Sequence, residues 1–431
     1  MKNKNGFVSM TLVYTFLILF LFLMASILNI YVEKNKFLEA IDNKIQNDLN
    51  SGKFNKVTLL TKMLDDNAVY ATNDEDNKIN LGKISGTNNG NGLYSTSNFI
   101  DENNDGVGST IYFYRGDVDN NFVYFANYCW RIVRTNENGS TKLLYAGVPD
   151  RSTGNIICNA TGSALTTGTK VKFNSSANDN AYVGYTYGTP NSGTYEQTHH
   201  TAQGTTIKES TIKLHLDAWY KDTFIPSAGD AALALIEDNH FCNDRYLDFS
   251  VQNKLLSETG AQLTEPANTN LKGVAKNLTF YSAARLTDRI YNTTVENGSV
   301  PSSPDLRCRN QEDRYSLSLY SGGYLPSGNK LLYYPVGTLT ADEVAYAGGV
   351  YAVKNSSYYI NEGISYWTMT PFRFDSNSNQ ALMSIVSTDG TLGADSVSSS
   401  YYVRPVISIV SNAIVKKGNG KYNSPYIINV Q

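Results

Sequence analysis

Residues 122–145 read Phe122-Val123-Tyr124-Phe125-Ala126-Asn127-Tyr128-Cys129-Trp130-Arg131-Ile132-Val133-Arg134-Thr135-Asn136-Glu137-Asn138-Gly139-Ser140-Thr141-Lys142-Leu143-Leu144-Tyr145. Aromatic and β-branched runs at 122–125 and 130–133 predict strands, because such side chains fit a half-buried pleated surface. Asn138-Gly139 lies between 130–134 and 142–145 and predicts a hairpin, since a tight two-residue turn needs positive φ. Ile111-Tyr112-Phe113-Tyr114 predicts a further strand upstream. The same pattern returns at the far end, at 366–369, 381–387, 392–397 and 403–409, with Thr388-Asp389-Gly390 as a turn.

Between these strand regions the period changes. Residues 150–205 are rich in Gly, Ser, Thr and Asn and predict long loops. Ile212, His215, Leu216 and Trp219 then recur at i, i+3, i+4 and i+7, one face of a helix. Its start is open between a capping box at Thr206/Glu209 and a plain N-cap at Ser210. Residues 231–236 and 280–291 are further helix candidates. Thr340-Ala341-Asp342-Glu343 is a capping box opening a short helix that Gly348-Gly349 can close. Strands at both ends with helices between them predict an α+β fold.

The 431 residues carry a net charge of −3, with only 17% charged side chains and 31 Tyr against 3 Trp. Without a basic excess, a role on nucleic acid is not expected. At the other extreme of polarity, Phe7 to Ile30 contains no Asp, Glu, Lys or Arg. About 24 residues make a helix of roughly 36 Å, enough to cross a hydrocarbon core of about 30 Å with some tilt. Residues 7–31 therefore predict a transmembrane helix embedded in membrane lipid. Lys2 and Lys4 precede it and Lys34, Lys36 and Lys44 follow, so charge alone does not orient it. The six-residue head and the cysteines favour the N-terminus inside and the bulk of the chain extracellular.

Leu38, Ile41, Ile45 and Leu49 continue as an amphipathic helix. Val57, Leu60 and Leu64 suggest another short helical piece. The expected organisation is a leader at 1–6, the span at 7–31, a helical stalk at 32–64, a linker at 65–109, an α+β domain at 110–411 and a strand extension at 412–431.

Four cysteines, Cys129, Cys158, Cys242 and Cys308, form an even set without a C-x-x-C. Outside the membrane two disulfides are expected. Pairing Cys129 with Cys158 and Cys242 with Cys308 closes the more local loops. His240-x-Cys242 would put two metal ligands on one strand face, yet no second ligand cluster accompanies it, so no metal is expected. Asp101-Glu102-Asn103-Asn104-Asp105-Gly106 begins like a calcium loop, but its twelfth position is Tyr112 where a bidentate Glu is needed. Arg115-Gly116-Asp117 matches a cell-attachment tripeptide, a three-residue signal. There is no G-x-S-x-G and no H-E-x-x-H. His199-His200 sits in a polar stretch and reads as a solvated pair; His215 reads as a core histidine. Neither catalytic residues nor a cofactor is expected. The Tyr-, Asn- and Ser-rich surface has the composition of adaptable binding surfaces, where sugar faces can also stack on rings.

The head resembles a type IV prepilin leader: Gly6-Phe7 follows a short Lys-bearing stretch and precedes an apolar helix. The resemblance implies cleavage after Gly6, Phe7 as mature N-terminus, and pilin-like self-assembly. Pilins usually carry Glu at the fifth mature position, where this chain has Thr11. A plain signal anchor is the other reading of the same residues.

The globular part, roughly residues 111–428, resembles an uncharacterised domain of surface proteins in low-GC Gram-positive bacteria. It does so in residues 125–134, in Phe241-Cys242-Asn243-Asp244-Arg245, in 334–344, in Tyr366-Trp367-Thr368-Met369-Thr370-Pro371-Phe372 and in Val403-Arg404-Pro405-Val406-Ile407. The ending also looks like the C-type-lectin-like and formylglycine-generating-enzyme-like fold, a β-rich domain with long loops. This implies that Trp367 and Arg404 stabilise the fold, and Trp130 and Trp219 are likewise expected to be structural. Neither the Glu-Pro-Asn nor the Gln-Pro-Asp lectin motif is present, and the cysteines do not match an oxidase site. The expected function is a membrane-anchored extracellular binding or adhesion module for a surface glycan or protein. A minor pilin-like subunit and a surface enzyme acting on cell-wall or glycan substrates are the alternatives.

Overall fold

The computed structural model describes residues 57–74, 78–86, 88–102, 106, 108–200, 204–246, 279–280, 304–318, 328–375 and 377–430. Gly6, Phe7, the apolar run at 7–31, the amphipathic stretch to residue 56 and residues 281–291 of one helix candidate lie outside the described residues. Among the described residues no helix is long and apolar enough to cross a membrane.

Strands dominate, with a few short helices among them. Strands β1 (Val69–Ala71), β2 (Gly92–Ser95), β3 (Tyr112–Arg115), β4 (Phe122–Phe125), β5 (Tyr128–Thr135) and β6 (Thr141–Tyr145) belong to one nine-stranded sheet. β5 is its hub. Its first half pairs antiparallel with β4, Arg134 opposes Phe113 of β3, and β6 runs along its other edge. The β4–β5 connection is the pair Ala126-Asn127, at φ 53° and 67°, the two positive values a tight hairpin demands. β6 in turn pairs with Val406–Ile409.

Three boundaries differ from the sequence reading. The stretch expected as a linker at 65–109 supplies β1 and β2, which pair parallel to each other before β2 joins β3. Only Leu93 and Tyr94 of β2 are buried, so the polar residues around them diluted the signal. The extension expected at 412–431 contributes Val415–Lys417 and Tyr426–Ile428, the latter parallel to β4. Leu59–Asp66, expected within a stalk, is a helix capped by Thr58 that buries Leu59 and Met63 in the main core. Thr58–Gln431 thus forms one unit. At residue 280 the backbone is strand, not helix: Thr279–Phe280 pairs with Tyr366–Asp375. That long strand continues the second sheet through Gln380–Val386 and Leu392–Ser396. Gly390 turns the last hairpin at φ 76°, where an added Cβ would sit 1.8 Å from the Asn355 carbonyl oxygen.

β5 is buried along its whole length, Arg131 and Arg134 included. A buried cation must be paired and hydrogen-bonded. Arg131 donates to Val118 O and Asn121 Oδ1 and lies 3.9 Å over the Phe122 ring. Arg134 reaches Glu102 at 2.7 Å and Glu343 at 2.8 Å. Glu343 belongs to the fully buried helix Ala341–Ala347, whose capping box it closes with Thr340. Its Oε1 also takes Lys142 Nζ at 2.7 Å. One carboxylate therefore terminates a helix and neutralises two buried cations. Glu343→Gln keeps the shape and strands that charge; breaking such a buried pair costs about 3–5 kcal/mol. Thr340→Ala, losing only the cap, should cost about 1 kcal/mol. Urea midpoints of the two variants compare them, and equal losses would refute the hub role of Glu343.

Candidate functional site

The residues singled out in the sequence are mostly internal. Cys129 is bonded to Cys158, and Cys242 to Cys308, so Cys242 is no metal ligand. Trp130 is fully buried against Tyr145 and Phe224 and donates its indole N–H to Phe125 O at 3.0 Å. Trp219 packs on Tyr145 from the helix Thr211–Trp219, whose N-cap is Ser210. Trp367 donates to Val171 O at 2.8 Å. Arg404 binds Ile360 O and Tyr145 O, with its guanidinium over the Tyr366 ring. The quoted motifs are thus tie points of the core. Gly337 adds another, since a Cβ there would meet the Phe241 ring at 2.4 Å. Arg115 of the Arg-Gly-Asp tripeptide is wholly buried, donating to Asn89 O, Lys83 O and Ala345 O; it is not presented for attachment.

His199 and His200 are not a solvated pair. The turn Tyr195–Thr198, capped by Thr194, stacks His199 on the Tyr195 ring with centroids 4.2 Å apart. His200 Nε2 contacts Thr186 Oγ1 at 2.7 Å, and Thr186 also bonds Tyr315. Burial, reinforced by nearby Arg245, pushes His200 down to about 3 and His199 well below the usual imidazole range. His215 bonds Thr167 Oγ1 at 2.8 Å. Neither hydroxyl–imidazole pair lines the two concavities described next. Among the described residues no three His, Cys, Asp or Glu side chains are placed to hold a metal. Of the calcium-like loop, Asp101 Oδ2 accepts Gly106 N at 2.8 Å, and residues 103–105 lie outside the described residues.

The first concavity is internal and has the room of one water, about 10 Å³. Arg134, Lys142, His240, Asp342 and Thr370 face it. His240 Nδ1 is buried there without a partner. Burial holds this imidazole neutral, pushed down to about 3 despite the Glu102 carboxylate. Burial also raises Glu102 and Glu343, but the surrounding cations outweigh it; Glu102 ends below the ordinary range and Glu343 at about 2.

The second is an open groove of about 510 Å³ on the outer surface. One rim carries Ser97, Asn98, Phe99 and Asp101. Phe99 is 76% exposed, the most exposed large apolar side chain described. It lies in the irregular stretch after β2, immediately before a single bridging residue. Ile100 bridges Ser109 and packs against a small apolar cluster with Ile79, Phe113 and Tyr346, so its predecessor turns outward. Ser97 and Thr72 share a hydroxyl–hydroxyl hydrogen bond at this rim. Glu102 clamps the end of the segment, exchanging reciprocal 2.6 Å backbone–carboxylate bonds with Glu137.

The facing wall is the strap 304–308. Asp305 N donates to Asp342 Oδ1 at 2.7 Å and Cys308 N to Glu102 O at 2.9 Å. Asp305 receives the Arg307 guanidinium and Arg309 Nη2. The Cys242–Cys308 bond pins the strap from behind. One side of Asp305 and Arg307 lines the groove and the other the internal cavity. Reading 65–109 as a linker missed this rim; the available signal was a lone Phe between Asn98 and Ile100 in an otherwise polar stretch. No family model, curated protein or solved structure matches the chain.

Proposed function

We propose that the chain is a cell-surface binding or adhesion module, held by its apolar N-terminal segment with the domain outside the membrane. The observation that carries this reading is the groove, where Phe99 stands 76% exposed beside a polar rim. A concave surface that combines an apolar ring with a few placed polar groups is the usual form of a ligand site. Two disulfides using all four cysteines favour an oxidising compartment. The charge-free run from Phe7 to Ile30 supplies the anchor. The finer fold reading, a C-type-lectin-like domain, rests on the Trp367 strand, its hairpin and the Arg404 segment.

Display of the full-length chain on cells that otherwise lack it tests the function. The displaying cells should adhere to bacterial or host surfaces, and Phe99→Ala should abolish most of that adhesion. Turnover of a cell-wall polymer would point instead to a surface enzyme; no adhesion would refute the module. Gly6-Phe7 before an apolar run favours a second reading, a minor pilin-like subunit. Mass spectrometry of the mature N-terminus separates the two. Methylated Phe7 supports the pilin reading and intact Met1 the plain anchor.

A further inference from the structure

We infer that the groove takes an uncharged, hydroxyl-rich saccharide, with one pyranose ring lying on the face of Phe99. This deepens the binding-module reading and rests on it. An exposed phenyl ring offers a flat apolar face that suits the C–H side of a sugar ring. Beside it stand the planar polar groups of Asn98, Asp101 and Arg307 and the hydroxyl of Ser97. The Asn98 amide and the Asp101 carboxylate present paired donors or acceptors, which match neighbouring ring hydroxyls, while the Arg307 guanidinium is taken by Asp305.

Charge separates uncharged from acidic ligands. The groove is lined by two carboxylates, Asp101 and Asp305, against one guanidinium, Arg307. That guanidinium already lies 2.8 Å from Asp305. An anionic polymer would therefore meet net negative charge and a cation that is already paired. The rim is also pre-organised: Ser97 is tied to Thr72, and Glu102 to Glu137 and Arg134. Little ordering is left to be done on binding.

The test uses the full-length chain in lipid nanodiscs, titrated calorimetrically with maltohexaose, cellohexaose, mannohexaose and chitohexaose, and with polygalacturonate as the anionic probe. At least one neutral hexasaccharide should bind. Phe99→Ala should weaken it tenfold or more, Phe99→Trp should retain it, and polygalacturonate should not bind. Because Phe99 is exposed, Phe99→Ala should leave the melting temperature unchanged, which separates loss of the site from loss of the fold. Neutral binding indifferent to Phe99→Ala, binding of polygalacturonate alone, or no hexasaccharide bound would each overturn the saccharide assignment. If cell adhesion still depends on Phe99 while no hexasaccharide binds, the module reading stands and the ligand class falls. If adhesion also fails, both fall.

Discussion

Mild acid is expected to destabilise the domain steeply, beginning below about pH 6.5. His199, His200 and His240 are each buried and held neutral, at about 3 for His200 and His240 and well below 6.5 for His199. In the unfolded chain the same side chains protonate near 6.5. Below that pH the unfolded state binds more protons, so stability is complete above 6.5 and lost as pH falls toward the folded values. Each histidine contributes about 1.4 kcal/mol per pH unit in that window. Three of them remove about 6 kcal/mol between pH 6.5 and 5, a large share of a typical 5–15 kcal/mol. The buried carboxylates Asp179, Asp217 and Asp313 are raised by burial and act in the opposite direction. Their window runs upward from 3.8, and where it overlaps that of the histidines it offsets part of the loss. Melting followed by circular dichroism from pH 7.5 to 5 should show a fall of roughly 10 °C, and His240→Gln should flatten it. A melting temperature constant over that range would show that the three histidines are not neutral and buried together.

Removal of the disulfides is expected to have an effect of similar size, with a spatial signature. The bonds close loops with sequence separations of 29 and 66 residues. In the chain-entropy treatment each contributes about 4 kcal/mol, and both together about 8. The paired Ser variants should therefore each lower the urea midpoint, and full reduction should unfold the domain near body temperature. The two bonds differ in what they position. Cys242–Cys308 fixes the strap that forms one wall of the groove. Cys129–Cys158 ties the start of β5 to the loop after β6. At a temperature where both variants stay folded, Cys242→Ser/Cys308→Ser should lose adhesion while Cys129→Ser/Cys158→Ser retains it. Equal adhesion in the two variants would separate the strap from ligand binding.

The sequence was most legible where local chemistry and tertiary packing agree. Phe122–Phe125 is a strand with the bounds its aromatic run suggested. Thr340 and Glu343 form the full capping box, and Gly348 ends that helix at φ 125°. Cysteine pairing followed local loop closure. Legibility failed where tertiary contacts override composition. β2 buries two residues and so carries little periodicity. Its polar neighbours read as a linker, and the groove rim was lost with it. His199-His200 looked solvated because most of its neighbours are polar; Tyr195, which stacks on His199, is only four residues away, but the Arg245–Asp313 pair comes from distant positions. The Glu102–Arg134–Glu343–Lys142 cluster spans more than 200 residues of chain between Lys142 and Glu343, a distance at which no motif announces a partner.

Topology in intact cells tests the central claim most directly. Cells expressing the full-length protein are treated with a membrane-impermeant maleimide, with and without a prior impermeant reductant, and then with external protease. A domain displayed outside an oxidising surface predicts no labelling before reduction, labelling of Cys129, Cys158, Cys242 and Cys308 after it, and digestion by the protease with the 7–31 segment left in the membrane fraction. Thiols already free on lysis, together with full protection from the protease, would contradict it.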